Sequence, residues 1–269
     1  MKQNTIKLNS GTDIPQIGFG TWQINPSSQA KKATQVALEA GYRHIDTARI
    51  YLNEKGVGQA IDESGITRKD IFVTTKLWNG DHKDPRKALK KSLKRLGVDY
   101  VDLYLIHYPV AERIASWKIL EQLYKEGKAK AIGVSNFTVK HLTELMEQTD
   151  IVPAVNQVEF HPFLYQKELL DFCDKHGVVV EAYSPLAHGK KMEDPTIAKV
   201  AANYNKSPAQ IMIKWAIQHG MVVIPKSKNP GRIAQNLDVF DVKINKADMA
   251  LLDNLNENLR TCWDPTDVI

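Results

Sequence analysis

Four side chains in this sequence have the types and spacing to share one piece of acid–base chemistry: Asp46, Tyr51, Lys76 and His107. Asp46, Lys76 and His107 each end a short β-branched run, and Tyr51 follows Asp46 in the next loop. A phenol titrates near 10 when unperturbed, so it becomes a useful proton donor when its pKa is drawn toward neutrality. A lysine ammonium beside it stabilises the phenolate, and an aspartate keeps that lysine charged and oriented. A histidine ring N–H would orient and polarise the oxygen that takes the proton. Adding a proton to oxygen and a hydride to the adjacent carbon is carbonyl reduction, a reaction that needs a placed acid where water is excluded. Each residue alone also has a structural reading, since buried Asp–Lys pairs and strand-end histidines occur in ordinary cores. Their convergence is what argues for chemistry. Lys76 or Lys226 as a Schiff-base lysine of an aldolase-like barrel is an alternative at this stage.

Convergence requires a parallel sheet, and the chain alternates accordingly. Strand-like runs are expected at Ile17–Thr21, Arg43–Asp46, Ile71–Lys76, Val101–His107, Ala129–Ser135, Ala154–Glu159, Val178–Tyr183 and Val222–Pro225. Amphipathic helical segments fall between them, at Ser28–Ala40, Asn53–Ser64, Pro85–Leu96, Ala115–Lys125, Val139–Gln148, Lys167–Lys175 and Ala209–Gln218. Several end just before a glycine, the usual residue past a helix end. Eight strand–helix units predict a closed (β/α)8 TIM barrel, an α/β fold, over a single domain spanning residues 1–269, because closure removes exposed strand edges. Thr5–Ile14, with the turn residues Asn9, Ser10 and Gly11, reads as an N-terminal hairpin plugging the barrel, and Lys246–Asn256 as an extra C-terminal helix. Active groups of such barrels sit at the C-terminal strand ends, where Ser135, Asn136, Gln157, Glu159, Tyr183, Ser184, Lys226 and Ser227 also fall.

Composition narrows the function classes. At 269 residues, 43% hydrophobic and 25% charged, the chain has the profile of an ordinary globule. No stretch approaches the ~18 apolar residues of a membrane span, and the first residues lack a signal-peptide core, so a cytoplasmic protein is expected. The net charge of +5 includes a dense cluster from Lys83 to Arg95, but Leu89, Leu93 and Leu96 sit within it at helical spacing. Those cations are the solvated side of a helix rather than a nucleic-acid site. Cys173 and Cys262 are read as reduced and structural, and no cluster has metal-ligand spacing.

The motifs resemble those of the aldo-keto reductase family over essentially the whole chain. GYRHIDTARIYLNE (Gly41 to Glu54) is similar to the family's first signature, TTKLW (Thr74 to Trp78) to its lysine segment and LIHYP (Leu105 to Pro109) to its histidine segment. The resemblance implies NADPH/NADP+ as cofactor and a catalytic tetrad of Asp46, Tyr51, Lys76 and His107. GVSNF (Gly133 to Phe137) resembles the nicotinamide-carboxamide site, where Ser135, Asn136 and Gln157 would bind the amide and Tyr183 would stack on the ring. IPKS (Ile224 to Ser227) and RIAQN (Arg232 to Asn236) resemble the adenosine-phosphate site. Lys226 and Arg232 would clamp the 2′-phosphate through charge-assisted bonds. Ser227, Gln235 and Asn236 complete that site, with Gln235 standing where the family often has glutamate. Further cofactor contacts are implied at Gly20, Thr21, Trp22, Asp46, Ser184 and Leu186.

For the substrate, Trp22, Trp78, Tyr108 and Trp263, with His107, are expected to line an aromatic pocket. The pattern is nearest to compact bacterial members such as 2,5-diketogluconate reductases, which implies a small carbonyl substrate, such as a methylglyoxal-like compound, and a monomer. An NADPH-binding regulatory barrel without turnover is the remaining alternative, because fold and cofactor alone do not prove catalysis.

Overall fold

A computed structural model describes residues 4–268. The chain opens with a hairpin of β1 (Thr5–Lys7) and β2 (Asp13–Pro15). Eight parallel strands follow: β3 (Phe19–Gly20), β4 (His44–Asp46), β5 (Phe72–Leu77), β6 (Val101–Ile106), β7 (Ala129–Ser135), β8 (Val155–Glu159), β9 (Val179–Tyr183) and β10 (Val222–Val223). Each pairs with its sequence neighbour. Ile17 and Val223 bridge in parallel, and the Gly18 N–H donates to Val223 O (2.8 Å), so first and last strands meet and the sheet closes. At this seam a Cβ on Gly20 would lie 2.9 Å from Ile224 O, a spacing only glycine accommodates.

The connecting helices are α1 (Ser27–Ala40), α2 (Glu54–Glu63), α3 (Pro85–Leu96), α4 (Arg113–Lys125), α5 (Val139–Gln148), α6 (Lys167–Lys175), α7 (Pro195–Asn203) and α8 (Pro208–Gln218). After β10 come α9 (Pro230–Leu237) and α10 (Lys246–Asp253). Local chemistry sets many of their limits. Asp84 caps α3 by accepting from Lys87 N–H (2.9 Å), Pro85 occupies the first turn, and Gly97 ends the helix in the left-handed region. Thr138–His141 and Ser207–Gln210 form reciprocal caps on α5 and α8.

Two helices lie outside the sequence expectation. Asp194 and Asn229 cap α7 and α9, each followed by proline. Helix α7 carries three alanines and little bulk, so its apolar period is weak, while α9 sits inside the segment read only as a phosphate motif. The first strand is also shorter than expected, spanning only Phe19–Gly20, while Ile17 forms a separate bridge to Val223.

Apolar packing falls in two regions. Between sheet and helices lie Trp117, Trp215, Tyr104, Phe137, Phe160 and their neighbours. Inside the barrel, Leu8 and Ile14 of the hairpin region pack against Phe72, Leu103, Leu105, Val155 and Val222. The hairpin is fastened by Asn9 Nδ2 to Pro153 O (3.1 Å) and Thr12 Oγ1 to Lys130 O (3.3 Å). The lower barrel is thereby filled with hydrocarbon, and polar side chains occupy the levels above it. Among the described residues, no helix is long and apolar enough to cross a membrane.

Candidate active site

Parallel register brings the ends of β4 and β5 together, with Asp46 at the last position of one and Lys76 near the end of the other. Lys76 is fully buried; its Nζ donates to Asp46 Oδ1 (2.7 Å), Asp46 Oδ2 (2.8 Å) and Thr47 O (2.9 Å). It also lies 3.3 Å from the Tyr51 hydroxyl. Tyr51 is carried on a short 3-10 turn, Arg49–Tyr51, which Leu52 ends in the left-handed region. One ammonium therefore joins a carboxylate to a phenol, a chain able to stabilise negative charge on the phenol oxygen.

The protonation states differ from the sequence expectation at one point. Tyr51 is not drawn toward neutrality: burial raises it well above 10, reinforced by Asp46, Tyr108, Tyr183 and Cys262 nearby. The phenol thus keeps its proton in the resting protein, and the lysine acts when charge develops. Burial also raises Asp46, against the opposing pull of Lys76 and Gln157. His107, just beyond β6, is pushed well below its ordinary value by burial and by Lys76, so its ring is neutral at pH 7. Its ring stands edge-on to Tyr51, with centroids 5.8 Å apart.

The ends of β7, β8 and β9 supply a second cluster. Asn136, held at φ 65°, donates through Nδ2 to His107 O (2.9 Å) and Ser135 Oγ (3.1 Å) and accepts at Oδ1 from the Tyr183 hydroxyl (2.8 Å). Ser135 Oγ donates to Gln157 O (2.8 Å). Gln157 donates through Nε2 to both Asp46 and Glu181, each at 2.9 Å. The donors of this cluster are committed, while Asn136 Oδ1 keeps a second lone pair and, among the described residues, no bond to Gln157 Oε1 is formed. A primary amide, with two N–H groups, fits that remaining capacity. Tyr183 is pinned at its hydroxyl, which fixes the direction of its ring axis.

Beyond β10, which pairs with β9, Lys226, Ser227 and Lys228 precede α9, and Arg232 and Gln235 are exposed on it while Asn236 is buried. Among the described residues none of Lys226, Lys228 and Arg232 has an acidic partner, and loss of solvation, with Lys228 adding to it, lowers the Lys226 ammonium. Unpaired cations at a helix start suit an anionic group. Thr21 is spent structurally, its Oγ1 donating to Asp46 O (2.9 Å), and Leu186 is half-buried beside the outer core.

The aromatic wall is only partly as expected. Trp78 meets His107 (5.4 Å) and Tyr108 (6.2 Å), and Tyr108 meets Trp263 (4.7 Å), giving a continuous face. Trp22 instead makes its ring contact with His188 (5.5 Å). His188 was not foreseen, nor was the position of Cys262. His188 Nε2 is 2.9 Å from Ser184 Oγ, and Cys262 Sγ is 3.4 Å from His188 Nε2 and 3.7 Å from Ser184 Oγ. Cys173 is a core residue as read, but Cys262 lies at the rim of the site. Its adjacency to Trp263 in the sequence was the available signal.

Glu159, seen as a strand-end carboxylate but given no role, holds the C-terminal tail. It accepts from Thr261 N–H (2.8 Å), the Thr261 hydroxyl and Cys262 N–H (3.1 Å). Burial would raise this carboxyl, but those bonds and His161 outweigh it and hold it at about 2.

With this geometry in place, comparison with known proteins is decisive for the class. The profile of the Aldo/keto reductase family matches residues 16–257, and the chain belongs to that family. It is an oxidoreductase with the family's barrel. The chain is 46% identical to a protein of Trypanosoma cruzi named 9,11-endoperoxide prostaglandin H2 reductase, over 97% of this chain and 95% of the relative. It is 45% identical to a glyoxal reductase of Bacillus subtilis, over 99% and 98%. A crystal structure of a Bombyx mori aldo-keto reductase in complex with NADP superposes with TM-score 0.92 at 38% identity, covering 97% of this chain and 95% of that one.

Proposed function

We propose that this chain reduces the carbonyl group of small aldehydes or ketones to an alcohol, taking its hydride from NADPH and its proton from Tyr51. The supporting observation is the single buried ammonium of Lys76 bonded at once to Asp46 and Tyr51 in the mouth of a barrel. NADPH, when bound, supplies the hydride to the carbonyl carbon. Ser135, Asn136 and Gln157 would hold its carboxamide, Tyr183 would present a ring face to it, and Lys226 and Arg232, with Ser227, Gln235 and Asn236, would hold the phosphate end. Gly20, Thr21, Trp22, Ser184 and Leu186 would contact the cofactor between those two ends.

The carbonyl oxygen takes the proton of Tyr51 as the phenol O–H bond breaks. The phenolate left behind faces Lys76, which Asp46 keeps charged. Neutral His107 offers a ring N–H to the same oxygen. Trp78, Tyr108 and Trp263 would supply apolar surface beside the reacting carbon. The relative named as a glyoxal reductase supports short dicarbonyls as candidate substrates for this chain, and methylglyoxal and 2,5-diketogluconate belong in the same panel. Both cysteines are free thiols, which suits a reducing compartment, so the proposal includes a cytoplasmic monomer.

The test is NADPH oxidation across that panel with purified protein and the Tyr51→Phe variant. Carbonyl-dependent oxidation that falls at least about a hundredfold in Tyr51→Phe, with NADPH affinity kept, is expected. Turnover unchanged in Tyr51→Phe would remove that residue from the mechanism, and NADPH binding without any turnover would favour a regulatory barrel.

A further inference from the structure

Directly beside the reacting residues the barrel buries a carboxyl that carbonyl reduction does not use. Glu181 is wholly inaccessible on β9, opposite Gln157 in the parallel register. Its Oε2 accepts from Gln157 Nε2 (2.9 Å), while Oε1 has no hydrogen-bond partner and lies 3.5 Å from His44 Nε2. Gln157 Nε2 also donates to Asp46 Oδ2 (2.9 Å), so both hydrogens of one amide nitrogen are consumed by two carboxyl groups.

The two bonds do different things. Asp46, gripped at both oxygens by Lys76, can only accept, which decides that the nitrogen end of the Gln157 amide faces inward. One bond leaves the amide free to turn about it; the second fixes its plane. The charged and titratable groups around Glu181 are His44 and Asp46 from β4 and Lys76 from β5, while its register partner on β10 is Val222. Burial and Asp46 push Glu181 up to about 8, and burial and Lys76 hold His44 down at about 3. Both groups are thereby driven toward their uncharged forms, which eases the competition of two carboxyl groups for one amide.

We propose that Glu181 is a positioning residue that locks the plane of the Gln157 amide, so that Gln157 Oε1 is held as the acceptor for the carboxamide NH2 of nicotinamide. This rests on the cofactor reading given above. The role differs from simple filling of space, because apolar packing at this position would leave one Gln157 N–H buried and unpaired.

The experiment compares binding of NADP+ with that of its 3-acetylpyridine analogue, whose methyl ketone has no N–H to donate. Dissociation constants are measured by calorimetry for wild type, Glu181→Leu and Glu181→Gln. Glu181→Leu should weaken NADP+ by about three- to tenfold, the scale of one hydrogen bond, and the analogue by less than about twofold. Glu181→Gln, which keeps an acceptor, should restore most of the loss. Should Glu181→Leu fail to fold, Glu181→Ser, too short to reach Gln157, makes the same comparison. Equal weakening of both ligands would overturn the positioning role while leaving the cofactor assignment intact. Failure of the wild type to bind NADP+ would instead overturn the cofactor assignment and this proposal with it.

Discussion

Replacing Glu159 with glutamine should unlatch the C-terminal tail without unfolding the barrel. The carboxylate accepts two backbone N–H groups and a hydroxyl from Thr261 and Cys262, and Trp263 follows directly, in tilted ring contact with Tyr108. The difference between an ordinary 4.5 and the about 2 seen here corresponds to about 3 kcal/mol. Solvent screening at the tail's edge trims this to about 2 kcal/mol. A similar figure follows from the bonds themselves, since a charged acceptor contributes about 1.5–3 kcal/mol and glutamine keeps a neutral one. Local opening should then be about 30-fold more frequent, read as faster hydrogen exchange at the Thr261 and Cys262 amides. A carboxyl whose pKa is depressed by folding contributes closure that is complete above about 4.5 and is lost as pH falls toward about 2. Protection corrected for intrinsic rates should therefore fall across that range in wild type as the pH is lowered, and stay level in Glu159→Gln. Unchanged exchange in a folded variant would refute the latch.

Arg232→Ala should weaken NADPH by about 1.5–3 kcal/mol and NADH hardly at all, measured by titration; equal losses would remove the 2′-phosphate clamp. Lys76→Met should cost about 3–5 kcal/mol in a denaturant melt as well as activity, because it leaves Asp46 buried and unpaired, whereas Tyr51→Phe should cost activity alone. Since burial and Lys76 hold His107 neutral, reductase activity should show no limb near pH 6–7; a limb there that vanishes in His107→Asn would contradict this. In Gly133→Ala the new methyl would meet Val155 O at 2.5 Å, so the barrel should lose at least about 2 kcal/mol on thermal or denaturant melting.

Strands and most helices were legible because their signals are local. Gly41, Gly97, Gly127, Gly177 and Gly220 all take left-handed φ at or near helix ends, and the apolar periods between them are regular. Asp46, Lys76 and His107 were legible for a related reason: a polar residue at the end of a β-branched run stands out against its neighbours. What stayed hidden depends on contacts distant in sequence. Glu159 meets Thr261 about a hundred residues away, and Cys262 reaches Ser184 and His188 only because the tail folds back over the mouth. Trp22 looked interchangeable with the other aromatics, yet its loop points it to His188. The pKa of Tyr51 was misjudged because the type and proximity of Lys76 are visible in sequence whereas the degree of burial is not.

The barrel interior shows how this site is tolerated. A buried lysine–aspartate pair adds little stability in itself, since desolvating both ions offsets most of their attraction. Two further buried groups, His44 and Glu181, are accommodated by neutrality rather than by pairing. Stability must then come from elsewhere, and it is supplied by the hydrocarbon layer below, which the hairpin completes, and by the helix–sheet core outside. Support and chemistry are thus separated by level along the strands. His44 and Asp46 lie two residues apart on one strand, as do Thr74 and Lys76, so each strand sends one side chain to the buried polar level and the next inward one to the mouth. A one-residue slip of β4 or β5 would turn Asp46 or Lys76 outward into the helix layer, so the register that closes the barrel is the same register that assembles the acid.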